Sequence, residues 1–184
     1  MPKSTGDLVT AAEWNALEVK DFVLLDETIA GGASATLSVT LPQTHRDLKV
    51  VVAGTHDGAA AFSVANLRFN GVAGSAYSSA RHYVAEDGTT GTGGGSASSS
   101  IAVVVGTTMT SWTFEVPDYT ATDVQSLTGI GAARIGASAS NAARLYTVGG
   151  NWTTAAAITG FEITLVSLNW ESGSVMRAYG LGQI

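Results

Sequence analysis

Thr36-Leu37-Ser38-Val39-Thr40-Leu41 decides the fold class. Leu37, Val39 and Leu41 recur at a period of two, hydroxyl residues occupy the other face, and Pro42 ends the run. Such alternation is the mark of a strand with one face in a core and the other in water. The same period returns further along the chain. Trp112, Phe114 and Val116 alternate up to Pro117, and Phe161, Ile163 and Leu165 share one face within Ile158–Trp170.

Around these runs lie others of strand character. Phe22-Val23-Leu24-Leu25 begins one, and Leu48 to Ala53 is a largely apolar run of the kind found in a central strand. Val64 to Phe69 follows, closed by the turn dipeptide Asn70-Gly71. Tyr77 to Val84, Ile101 to Val105, Val124 to Ile135, Arg144 to Val148 and Val175 to Tyr179 complete the set. About ten short strands separated by Gly, Pro, Asn and Asp turns imply an all-β antiparallel sandwich, jelly-roll-like in pattern, rather than a parallel α/β sheet. Asp87 to Ser100 is Gly/Ser-rich and has nothing to pack, so it is expected as a mobile loop or one ordered by a partner. No repeat at a fixed period suggests a propeller or solenoid.

The N-terminus follows a different period. Thr10 and Glu13 have capping-box spacing, and Trp14 and Leu17 then fall on one side of a short helix. About two turns cannot stand alone in water, so this helix must dock. The expected division is an arm over residues 1–19 and a sandwich domain over 20–184. Trp14 and Leu17 are the expected anchors of the arm, in cis or on a neighbour.

Composition narrows the function. Of 184 residues, 13% are charged, against roughly 25% in an ordinary soluble domain. A surface so poor in charge suits contact with neighbours, and it equally suits a turn-rich β protein. The net charge is −6 and the arginines are scattered singly, so counterion-release binding to nucleic acid is not expected. No apolar run reaches the ~20 residues of a membrane span, and the first residues lack a signal-peptide core.

Catalytic chemistry finds little support. There is no cysteine, and His45, His56 and His82 have no metal-ligand spacing. No GxSxG elbow or phosphate-cradling loop is present. Glu115 and Glu162 each sit between apolar neighbours, as outward strand residues do. The expectation is no enzyme, no catalytic residue, no metal and no cofactor. Tyr83 and Trp152 are candidate ligand or partner contacts, since rings of this kind serve sugar faces, interfaces and cores alike.

Three segments, in order, resemble known proteins. Gly6 to Asn15 resembles the opening of many tailed-phage virion proteins. Leu67-Arg68-Phe69-Asn70-Gly71 followed by Tyr77-Ser78 is similar to a stretch of a β-sandwich family of phage minor structural proteins. Gly150-Asn151-Trp152, the Ile158–Trp170 run, Gly173-Ser174 and Tyr179-Gly180-Leu181 resemble that family's close. Val72 stands where the family carries an acidic residue, which removes the side chain that an ion or polar network there would use. The resemblance implies a virion component assembled in a bacterial host, oligomeric and often trimeric, in contact with major capsid or tail proteins. A capsid decoration role is the leading expectation. A tail or fibre-tip glycan-binding module and a virion-associated glycan hydrolase are the alternatives.

Overall fold

The computed structural model describes residues 22–59, 61–136 and 142–183. They form β1 (Val23–Ile29), β2 (Thr36–Thr40), β3 (His45–Gly54), β4 (Ser63–Phe69), β5 (Tyr77–Ala85) and β6 (Thr90–Ser98). β7 (Ile101–Val105), β8 (Met109–Val116), β9 (Gln125–Arg134), β10 (Ala143–Trp152), β11 (Gly160–Leu165) and β12 (Val175–Gln183) follow. The expected arm, its short helix and the anchors Trp14 and Leu17 lie outside the described residues.

The strands form two antiparallel sheets packed as a sandwich, as the alternation requires. The larger has eight strands in the order β1-β12-β3-β8-β9-β10-β5-β6, and the smaller has four in the order β2-β11-β4-β7. Only β5–β6 and β8–β9–β10 connect neighbours within one sheet; the other links cross between layers. Asn70-Gly71 is such a link. Its turn is real, with φ of 53° and 65° at the two residues, but it carries the chain from β4 to β5 in the opposite sheet and closes no hairpin.

Polar groups lock this crossover. Asn70 Oδ1 accepts from the N–H of Thr159 and of Gly160, while its Nδ2 donates to Ala157 O. The Tyr77 hydroxyl accepts from Phe69 N–H at 2.9 Å and donates back toward Val72 O at 3.1 Å. The Leu67–Ser78 segment is therefore a structural clasp, with Phe69 in the core and its flanking residues tied down.

Side chains from the inner faces fill the space between the layers. Leu37, Val39, Phe161, Ile163 and Leu67 of the small sheet meet Val50, Val52, Trp112, Phe114 and Met176 of the large one, all buried. Each fully buried aliphatic or Phe side chain contributes about 1.5–3 kcal/mol. Trp112 and Phe114 lie parallel, with ring centroids 5.3 Å apart and planes 5° apart. They fit because Gly131 and Gly129 face them from β9. A Cβ on Gly131 would stand 2.2 Å from the Trp112 ring, and one on Gly129 would stand 2.6 Å from Phe114.

Part of the expected Asp87–Ser100 loop is a strand. Thr90–Ser98 pairs with β5 and forms one edge of the large sheet. Its glycines supply the fit: a Cβ on Gly91 would meet the Tyr83 ring at 2.3 Å, and one on Gly93 would meet Arg81 at 3.1 Å. Side chains borrowed from β5 cover a strand that has almost none of its own, the known remedy for glycine at a sheet edge.

Candidate interface

Among the described residues, the small sheet lies against the inner face of the large one and no element covers the outer face. Strand registers define what that face presents. Ser111, Ala132, Leu145 and Val84 line up across β8, β9, β10 and β5, and Thr90 of β6 continues the row. The adjacent row runs Thr113, Ile130, Thr147, His82 and Thr92. Beyond it come Thr128, Gly149, Ala80 and Gly94, then Ser126, Asn151 and Ser78.

No Asp, Glu, Lys or Arg stands in these central rows. Ile130 is 70% exposed, Leu145 65% and Val84 42%, and Leu145 pairs directly with Val84. Charge begins at the margins, where Glu115 pairs with Thr128, and Arg134 with Met109 and Ala143. A neutral, partly apolar centre inside a charged rim is the usual anatomy of a protein contact surface. Over Gly149, Ala80 and Thr128 the small side chains leave a shallow trough of about 500 Å³.

The opposite end of the same face is charged. A depression of about 470 Å³ beside Phe22 is lined by Arg46, Asp47, Lys49, Glu115 and Asp118. Its charges are answered locally. Arg46 pairs with Asp47 at 2.8 Å and approaches Asp118 at 3.7 Å. Lys49 pairs in register with Glu115 and lies 4.8 Å from the Phe22 ring centroid. The hydrogen bond from Arg46 holds the Asp47 carboxyl below its ordinary pKa.

The histidines are apart. His56 is buried, its Nδ1 accepting from Gly58 N–H at 3.1 Å and its Nε2 3.1 Å from Ala61 O. That pairing suits a neutral ring protonated at Nε2. His45 is buried against Gly180, and His82 is exposed on the outer face. Among the described residues, no three His, Asp or Glu side chains gather as a metal site, and no helix is long and apolar enough to cross a membrane.

The two aromatic candidates are placed differently. Trp152 is 0% exposed and packs at 5.6 Å on Phe69. Its ring fills the core, so it is not available to stack on a ligand, and the expectation of a contact there is corrected. Register explains why: Trp152 shares its face with Tyr146 and Val148, which also point inward. Tyr83 is half-buried at the margin of the inner face, 5.6 Å from Tyr146. Ile130 and Leu145, large apolar residues exposed on the outer face, carry no signal in a single sequence, where an isolated apolar residue in a strand reads as core.

No protein-family model and no curated protein matches the sequence. Among solved structures, that of infectious bursal disease virus Gx strain overlaps 89% of this chain and 39% of its own at 13% identity, with a TM-score of 0.09. The chain thus spans well under half of that viral chain, and a likeness of this size carries no argument.

Proposed function

We propose that the chain is a structural subunit of a tailed-phage virion, a decoration protein of the capsid surface that acts by adhesion and not by catalysis. The neutral outer face of the large sheet, rimmed by charge and bearing Ile130, Leu145 and Val84, carries this reading. Such a face loses little hydration free energy when covered, because no ionised group must be desolvated.

The partner assigned to this face is a second copy of the chain. Copies that each carry a net charge of −6 repel over most of their surface. They can meet where no charge stands. Four strands (β9, β10, β5 and β6) about 4.8 Å apart and seven residues of about 3.3 Å each span on the order of 450 Å². A standard interface buries about 800 Å² per partner. The face therefore needs a supplementary contact, a role that suits the arm with Trp14 and Leu17. The family resemblance adds trimeric order and the virion setting.

Immunogold electron microscopy on virions of the encoding phage tests the assignment. Gold distributed over the capsid surface is the expected result. Gold confined to the tail would replace decoration with a tail or fibre role, and virions without label would end the structural reading.

A further inference from the structure

The ion pairs among the described residues use Arg46, Arg68 and Arg177. Arg81 and Arg144 take part in none of them. Both lie on the inner side of the large sheet near its β6 edge, Arg81 in register with Val148 and Gly93, and Arg144 in register with Ala85. The Arg81 guanidinium lies over Gly93, whose missing side chain leaves it room. The Arg144 guanidinium lies 4.4 Å from the Phe62 ring centroid and 4.8 Å from that of Tyr83. Arg144 donates a hydrogen bond to the Tyr146 hydroxyl, and Arg81 lies within electrostatic reach of the same group.

Each guanidinium keeps one N–H without an acceptor. Arg81 Nη1 and Arg144 Nε are buried and have no hydrogen-bond partner. The rings offer Arg144 a cation–π contact and the Tyr146 hydroxyl accepts from it, but neither completes its Nε–H. A net-negative chain has thus placed two cations on either side of one ring pair without ion-pairing either. Buried N–H groups of this kind are costly unless an acceptor completes them. The acceptor that matches a guanidinium fork is a planar or tetrahedral oxyanion, which also supplies the missing negative charge.

We propose that Arg81 and Arg144, flanking the Tyr83–Tyr146 ring pair, form a binding site for an oxyanion: a carboxylate, phosphate or sulfate group. Both residues are half-buried, so part of each stays open to solvent. The site is distinct from the outer face, which lies on the other side of the same strands. It therefore stands or falls independently of the assembly reading.

The test is a titration of the full chain with acetate, phosphate and sulfate in turn, at fixed ionic strength, followed through the arginine Nε–H resonances. At least one anion is expected to shift the Arg81 and Arg144 signals saturably while leaving those of Arg46 and Arg177 in place. Response to acetate alone identifies a carboxylate ligand, and response to phosphate or sulfate identifies a tetrahedral one. Arg81→Gln and Arg144→Gln are each expected to weaken binding about tenfold or more, as loss of a charge-assisted fork does. Arg46→Gln is the folded control and should bind as the native chain does. Absence of saturable shifts with all three anions would overturn the site. So would undiminished binding in folded Arg81→Gln and Arg144→Gln. If those variants do not fold, the resonance shifts of the native chain decide alone.

Discussion

At Gly131 a missing side chain sets the position of Trp112, one of three tryptophans buried in the core. Trp112 lies across β9 because nothing projects there, and its Nε1–H donates to Val104 O at 2.8 Å, joining the two sheets. Gly131→Ala places a methyl inside the ring's volume, and overpacking of this kind costs about 1–3 kcal/mol. A lower urea midpoint with an unchanged slope is expected; an unchanged midpoint would show that the ring shifts freely. The same glycines explain why Ile130 points outward. In Gly129-Ile130-Gly131 the only large side chain is on the solvent face, because the inner volume is already filled from β8. A residue's own polarity does not reveal this, since the cause lies on another strand.

At the scale of elements, the alternating runs were legible and the glycine-rich one was not. β2, β8 and β11 announce themselves by apolar residues at every second position, and those residues are buried as the period requires. β6 has no such pattern. Its strand state depends on Tyr83 and Arg81 lying over Gly91 and Gly93, a cross-strand relation that spacing along the chain does not show. Nor does the sequence show that Trp152 is core, since its face is set by pairing with β5 and β9. Two carboxylates carry the expected acid sensitivity, Asp57 in the loop after β3 and Asp47 within β3. Asp57 accepts from the backbone N–H and side-chain Nδ2 of Asn169, both at 2.9 Å, tying the loop after β3 to the loop before β12. These bonds, the backbone one first, hold its carboxyl below the ordinary value, and Asp47 is held down chiefly by Arg46. In the unfolded chain both return to about 4. Their contribution is complete above that value and is lost as pH falls through the lower folded pKa values. Denaturation midpoints measured against pH should be flat near neutrality and decline below about pH 4, with a shallower decline in Asp57→Asn. A midpoint that rises on acidification would contradict this origin.

At the scale of the molecule, the two-layer body follows from alternation, but the division into eight and four strands does not. Most neighbours in the sheets are distant in sequence, as β1–β12, β3–β12 and β5–β10 are, and local patterning carries no record of such partners. The unequal division has a consequence for function, because it produces one broad outer face. On that face an apolar centre is free of charge, and copies of a net-negative chain have a place to meet. Ile130→Glu together with Leu145→Glu puts two carboxylates at the centre without touching the core. Exposed substitutions of this kind change stability by about 0.5 kcal/mol or less each. Sedimentation velocity of the native chain and the double variant over a range of concentrations measures the claim directly. The native chain should sediment as an oligomer and the variant as a monomer with the same circular dichroism. A native chain that stays monomeric at the highest concentrations, or a variant that associates as strongly as the native chain, would contradict it.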